Sequence, residues 1–239
     1  MRLSKELFSC ILLISTPNHP MIFLIRYSLF TLLISTSFTS CRKFEQEKVV
    51  ARAEPFVPTN LYPIERLPNY LNRVVTLPCY YSDENSEMLK YIDDIFHQEL
   101  TQERIFETIR MNPKQMKEYF GTERVSSSGE LPESFLRTLE DRTNANGVLF
   151  VDLHSYRPYR PMSLGVRAKL VDIKTGEFMW AIDETIDSGE ASVMVAANLY
   201  QRGNHVQALS EKTSSSILQS PRLFSKFVAQ TLISTLPKR

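Results

Sequence analysis

An uncharged apolar run near the amino terminus is followed directly by a cysteine. This feature limits which part of the chain can belong to the folded domain. The run extends from Tyr27 to Ser40 and fills the 14 residues between Arg26 and Cys41. A membrane-spanning helix needs about 20 apolar residues, so the run is too short for a comfortable span. A basic residue, an apolar stretch and small residues before a cleavage point are typical of a secretion signal. We therefore expect residues 1–40 to be a signal segment that takes no part in the fold.

Cys41 stands where a lipoprotein signal has its acceptor cysteine, directly after the small residues Thr39 and Ser40. This position predicts lipid attachment to the Cys41 thiol, which would anchor the chain to a membrane, with the outer membrane expected and the domain facing the periplasm. Ordinary cleaved secretion and an uncleaved anchor stay open as alternatives. A second apolar stretch at 7–15 is broken by prolines ahead of Met21, so we take Met21 as the true start.

Charge and cysteine content restrict the class of protein. The chain has 28 Lys and Arg against 27 Asp and Glu, a net charge of +1, which gives no field to attract polyanions. Nucleic acid is therefore not an expected partner. With Cys10 upstream of the cleavage point and Cys41 acylated, Cys79 has no disulfide partner. Removing the first 40 of 239 residues leaves 199, enough for one domain held together by packing.

The segment 41–71 is polar and then punctuated by four prolines, a composition typical of a stiffened tether. We expect a flexible, lipid-tethered linker over 41–71 and a single α/β domain over 72–239. In the alternative, part of the segment packs along the domain through its apolar side chains, namely Phe56, Leu61, Tyr62 and Ile64.

Alternating strand and helix patterns follow the linker. The β-branched run 73–78 predicts a buried strand, and the apolar stripe over 86–102 predicts a long helix. A second strand is predicted over 104–111. Helices are predicted over 113–119, after the N-cap residue Asn112, and over 132–143.

Three successive strands are predicted next, over 148–156, 164–172 and 177–185. The last two are joined by a tight link in which Gly176 accepts left-handed backbone geometry. A closing helix begins after Ser220. The predicted fold class is α/β, with a mixed sheet that includes a three-stranded antiparallel meander and is flanked by helices in a two-layer or three-layer sandwich.

The meander carries the sequence Lys-Leu-Val-Asp-Ile-Lys-Thr-Gly-Glu-Phe-Met-Trp over 169–180, and Gly147 introduces the strand before it. With this element order, the chain resembles the periplasmic lipoprotein domains typified by the curli secretion protein CsgG and the penicillin-binding-protein activator LpoB. It is also similar to the amino-terminal domain of TolB. The resemblance covers residues 72–186 and the closing helix. It implies an α/β sandwich used for protein contacts and assembly, with no active site to carry over. We expect no cofactor.

The strand over 148–156 offers a catalytic alternative. Alternation places Asp152, His154 and Tyr156 on one face, where Asp152 and His154 could act as an acid and base pair in a hydrolase. A zinc site needs three or four ligands, and no third one stands at a recognisable spacing, so no metal is expected. A solvated strand face is the ordinary interpretation of this alternation.

Two further polar features have ordinary interpretations. Asp93 and His97 are four residues apart on the long helix, a spacing that predicts a surface ion pair on its polar side. Cys79 follows a strand with no basic neighbour in sequence, which predicts an inert structural thiol.

The link between the first two strands of the meander is the candidate for partner binding. Its residues Tyr156, Arg157, Tyr159 and Arg160 are of the types that dominate binding hot spots, and its prolines limit the entropy lost on docking. The apolar helix predicted over 191–200 is a second candidate, either as a cover for the sheet or as a docking helix.

We therefore expect a non-enzymatic envelope lipoprotein, anchored to a membrane through Cys41, that binds another envelope protein in the assembly or regulation of cell-wall or secretion machinery. An oligomeric secretion-channel component is the alternative from the same group. No unassigned pair of alternating segments long enough for a membrane-spanning hairpin is found, which argues against pore formation.

Overall fold

The part of the chain described by the computed structural model comprises residues 52–63, 65–83, 86–205 and 217–238. The predicted signal segment, the acceptor Cys41 and the first part of the predicted linker lie outside the described residues. Within the described ranges, no helix combines the length and the apolar character that a bilayer crossing requires.

A seven-stranded mixed sheet forms the centre of the described fold. Its strands are β1 (Leu61–Pro63), β2 (Arg73–Thr76), β3 (Tyr80–Tyr81), β4 (Glu107–Arg110), β5 (Gly147–Arg157), β6 (Ser163–Asp172) and β7 (Phe178–Asp187). The order across the sheet is β1-β7-β6-β5-β2-β4, and β3 pairs with β5 beyond the end of β2. Strands β5, β6, β7 and β1 run antiparallel, while β2 and β3 run parallel to β5, and β4 runs parallel to β2. The mixed α/β sheet with its antiparallel meander is therefore confirmed.

The helices are α1 (Ser86–Gln102), α2 (Pro113–Phe120), α3 (Phe135–Thr143), α4 (Ala191–His205) and α5 (Pro221–Ile233), with a short 3₁₀ turn at Ile217–Gln219 before α5. Local chemistry explains where they begin and end. Asn112 caps α2 by accepting a hydrogen bond from the Gln115 backbone N–H, and Gly121 ends it at a φ of 74°. Ser220 caps α5 through its hydroxyl, as its place before a proline predicts.

The turn between β6 and β7 is held by the Asp172 carboxylate. Its Oδ1 atom accepts hydrogen bonds from the backbone N–H groups of Lys174 at 2.8 Å and Thr175 at 3.2 Å. Gly176 takes the predicted left-handed conformation, with a φ of 72°. The hydroxyl of Tyr70, which lies before β2, also donates to Asp172 and helps to hold this turn.

The two faces of the sheet carry separate apolar cores. The face covered by α1 and α5, called here the first face, has the larger core, and it includes the fully buried Trp180 and Phe227. The Trp180 indole N–H donates to the Thr235 hydroxyl at 3.1 Å. The face covered by α2 and α3, called here the second face, has a smaller core that includes Phe135 and Phe150. The burial of apolar area on both faces is the main source of stability.

Part of the segment before β2 belongs to this architecture. Strand β1 extends the meander at β7, and Leu67 and Leu71 are buried in the core of the first face. The Phe56 backbone N–H donates to the Ser192 carbonyl at 3.0 Å. These contacts agree with the alternative in which the segment packs along the domain through Phe56 and Leu61. Tyr62 lies in β1 with its side chain exposed, and Ile64 is outside the described residues.

Candidate functional site

A bulge in β5 separates the polar residues that alternation had placed together. The pairing of β5 with β6 shifts between Leu153 and Ser155, so one extra residue is inserted at His154. The shift turns Tyr156 to the first face, where its hydroxyl lies 2.6 Å from the Tyr91 hydroxyl of α1. Burial, followed by this hydrogen bond, raises the pKa of Tyr91. The prediction that Asp152, His154 and Tyr156 share one face is therefore wrong for Tyr156.

Gly165 of β6 lies opposite the bulge and makes it possible. A Cβ atom at this position would overlap the side chains of His154 and Ser155. The sequence signal for the bulge was therefore this glycine, on the partner strand and not on β5 itself.

Asp152 and His154 do not form a pair in the structure. Asp152 is buried and accepts hydrogen bonds from the Ser126 hydroxyl at 2.8 Å and from the Ser127 backbone N–H at 2.9 Å. The His154 Nε2 atom instead lies 3.1 Å from Asp183 Oδ1, and Arg167 Nε donates to Asp183 Oδ2 at 2.7 Å. The Asp152 carboxylate thus anchors a serine loop to the second face. The interpretation of Asp152 as part of a solvated face is wrong, because the loop covers it.

The predicted surface ion pair between Asp93 and His97 is wrong as well. Asp93 is buried and accepts from the Cys79 backbone N–H at 2.7 Å and from Arg124 Nη2 at 2.8 Å. The Nδ1 atom of His97 lies 3.0 Å from the Thr76 hydroxyl, and burial lowers the pKa of His97. His97 on this side of α1 therefore contacts the end of β2, and Asp93 is bound to Arg124 instead.

Arg124 is the residue that sequence reasoning missed at this place. It lies in a loop, and it bridges Asp93 and the Cys79 carbonyl across 31 and 45 residues of chain. Burial, together with the Asp93 carboxylate, raises the pKa of the Cys79 thiol well above its usual range. A buried thiol with a raised pKa is unreactive, in line with the structural role that was expected of it. Within the described ranges, no group of three or more His, Cys, Asp and Glu side chains is arranged to hold a metal ion.

The link between β5 and β6 contains the predicted partner-binding residues. Arg157 Nε donates to the Pro161 carbonyl at 2.5 Å, and Arg157 Nη2 donates to Asp187 at 2.6 Å. Arg160 Nε donates to the Leu218 carbonyl at 2.9 Å. Both arginines therefore hold the link against the domain. Tyr159 has no such role, and 81% of its surface is exposed.

The second candidate, α4, both covers the core and leaves an open side. Val193 and Ala197 are buried in the core of the first face, whereas Leu199 is 50% exposed. Leu199 lines an apolar cavity of about 460 Å³ that α4 forms with residues 55–58 and α5. The buried side of α4 therefore covers the core, as one of the two alternatives predicted, and docking by its exposed side stays a prediction.

Comparison with known proteins finds solved structures that match part of the chain at low identity and low TM-score. No protein-family model and no curated protein matches the chain. Among solved structures, a hypothetical protein, CT253, from Chlamydia trachomatis is 16% identical, with 68% of this chain and 96% of that chain covered and a TM-score of 0.39. A PelC dodecamer from Paraburkholderia phytofirmans is 16% identical, with 57% and 89% covered and a TM-score of 0.38.

The LpoB C-terminal domain from Salmonella enterica is 11% identical, with 59% of this chain and 94% of that chain covered and a TM-score of 0.34. LpoB is one of the proteins that the sequence resembles, while the resemblance to CsgG stays a prediction. Identities and TM-scores this low carry no argument about function. The functional argument therefore rests on the residues of this chain.

Proposed function

We propose that this protein is a membrane-tethered adaptor of the bacterial cell envelope that docks another envelope protein through Tyr159. The observation that carries the docking site is the combination of an exposed tyrosine with a link that both neighbouring arginines hold in place. The tether is the lipid predicted on Cys41, which lies outside the described residues. Asp152 and His154 have separate partners, so the hydrolase alternative is not proposed.

Rigid presentation of Tyr159 supports a binding role. A large aromatic side chain in water costs hydration free energy that a partner surface would remove, and tyrosine adds a directional hydroxyl. A flexible link would lose conformational entropy on docking, whereas this one is already fixed by Arg157, Asp187 and Arg160. Arg157 and Arg160 are then positioning residues, and Tyr159 makes the contact.

A substitution at Tyr159 tests the docking site. In the cells that make this protein, Tyr159→Ala should abolish chemical crosslinking to the partner that the wild type captures. Tyr62→Ala is the matched control, because Tyr62 is also a tyrosine on the surface, with 59% exposure. Equal capture by wild type and Tyr159→Ala would refute the proposed site. Crosslinks only between copies of this chain would instead support the oligomeric alternative.

A substitution at the acceptor cysteine tests the tether separately. Cys41→Ser should block lipid attachment and signal removal together, so the intact precursor should accumulate, and mass spectrometry should find no acylated amino terminus. A wild-type protein that carries no lipid, or that stays in the cytosol, would contradict the tether. The docking test with Tyr159→Ala can still succeed in that case, because it does not depend on the lipid.

A further inference from the structure

A groove of about 650 Å³ lies beside β3, between α1 and α2. Strand β3 continues the line of β2 along β5, and β4 pairs with β2 on the side away from β5. β4 ends at Arg110, and the chain turns into α2 after the N-cap Asn112. The groove therefore occupies the place that a longer β4 would fill.

Strand β3 lines this groove together with α1, α2 and the loop over residues 121–124. Among the described residues, β3 pairs with one strand, β5, so the opposite edge of Tyr80 and Tyr81 faces the groove. The start of this edge is fixed, because the Cys79 backbone N–H donates to Asp93 and the Cys79 carbonyl accepts from Arg124. A strand edge that pairs with no further strand can accept another extended chain.

The charges around the groove favour an acidic ligand. Lys117 is paired with Glu123 at 3.0 Å, and Arg124 is paired with Asp93 at 2.8 Å. Lys90 also lines the groove, and no carboxylate of the described residues forms an ion pair with it. One exposed positive charge is thus available at the rim, beside two half-buried tyrosines.

We propose that this groove binds an extended acidic peptide segment of a partner protein, which adds a strand to the free edge of β3 and places a carboxylate at Lys90. The volume of the groove is within the usual range for ligand sites. Backbone pairing supplies affinity in this mode, and the contacts to side chains supply specificity. The strand edge favours a peptide over a glycan, because a peptide backbone carries N–H and carbonyl groups at the spacing of a strand.

Peptide binding to the full-length protein in detergent tests this proposal. The probe is a fluorescent peptide of about eight residues that alternates Val and Glu, and fluorescence anisotropy measures its Kd. Two comparison peptides change one property each, since one has Lys in place of Glu and the other is N-methylated at alternate backbone nitrogens. We expect the acidic peptide to bind and both comparison peptides to lose about tenfold or more in affinity.

Charge reversal on the protein separates the groove from other basic residues. Lys90→Glu should weaken binding of the acidic peptide by about tenfold, whereas Lys174→Glu, on an exposed turn far along the chain, should leave it unchanged. Tyr159→Ala should also leave it unchanged, so this test and the docking test fail independently. Equal binding of the acidic and basic peptides, no effect of N-methylation, or binding of an acidic oligosaccharide in place of the peptide would overturn the proposal.

Discussion

The two faces of the sheet differ in the polarity of the side chains that they bury. The first face is closed by α1 and α5 over a continuous apolar core that includes Trp180 and Phe227. The second face has an apolar core only under α2 and α3, and its other half carries the cross-strand polar residues Asp152, Arg167 and Asp183 under a serine loop. The first face therefore supplies most of the stability, and the second face positions loops.

The bulge in β5 connects these two roles. It moves Tyr156 from the polar half of the second face to the first face, where it packs against the core and its hydroxyl meets that of Tyr91. The link that begins directly afterwards is thereby attached to the stable side of the molecule. The link that presents Tyr159 lies on the surface, but Tyr156 at its start is held by packing on the first face.

The largest expected effect is on the first face. Trp180→Ala should lower the free energy of unfolding by about 3–5 kcal/mol, because it leaves a cavity in a fully buried site and removes the bond to Thr235. Urea unfolding measures this loss. Phe178→Ala, on the same strand but 51% exposed, should cost about 1 kcal/mol or less. Similar losses for the two variants would contradict the dominant role given to the buried core of the first face.

The polar half of the second face should respond more weakly. Asp152→Ala leaves the Ser127 N–H without its acceptor, and we expect a loss of about 1–3 kcal/mol in the free energy of unfolding. Faster proteolysis in the loop that contains Ser126 should accompany it. His154→Ala removes a half-exposed pair with Asp183 and should cost less than about 1 kcal/mol. A larger loss for His154→Ala would reverse the roles assigned to these two residues.

Glu99 is an exception within the first face that pH can reveal. It is buried, its Oε1 atom has no hydrogen-bond partner among the described residues, and Lys226 Nζ is 3.9 Å away. Burial raises the pKa of Glu99. A carboxyl with a raised pKa in the folded state holds its proton more tightly there, so its contribution to stability is full below the unfolded pKa and falls as pH rises through the folded value.

Glu99→Gln should therefore remove the loss of stability that accompanies rising pH. At neutral pH this variant should be as stable as the wild type, or more stable by about 1 kcal/mol. Thermal unfolding at a series of pH values between acid and neutral measures the difference. Glu118→Gln, an exposed position on α2, should follow the wild-type profile. Parallel profiles for the wild type and Glu99→Gln would contradict the assigned cause.

The smallest effect on stability is expected at the link itself. Arg157→Ala removes two hydrogen bonds at a half-exposed site, to Pro161 and to Asp187, and should cost less than about 1 kcal/mol. Hydrogen exchange at the amides of Tyr159, Arg160 and Met162 should nevertheless become faster, and capture of the partner should fall part of the way toward the Tyr159→Ala level. Unchanged exchange would show that Arg157 does not position the link.

Most helices and strands were predicted from the sequence, because their signals come from residues close together in the chain. The apolar stripe of α1, the Asn112 and Ser220 caps and the Gly176 turn each depend on residues within a few positions of one another. The strand patterns on either side of the Gly176 turn likewise predicted the antiparallel meander. The three-residue strand β1 was not predicted, because it lies among prolines and gains its structure from pairing with β7.

The candidate site was predicted only in part, because its geometry depends on distant residues. The sequence identified the link, but not that Asp187 and Leu218 would engage its arginines and leave Tyr159 outward. Period-two alternation cannot anticipate an inserted residue, so the change of face at Tyr156 was missed. The pair between Arg124 and Asp93 had no local pattern either.

A photoreactive amino acid at single positions tests the central claim most directly. With the photoreactive residue at position 159, ultraviolet irradiation of living cells should crosslink the protein to one envelope partner. The same residue at position 62, another exposed tyrosine position, should give no crosslink to that partner. Strong crosslinking at position 62 and none at position 159 would contradict the account.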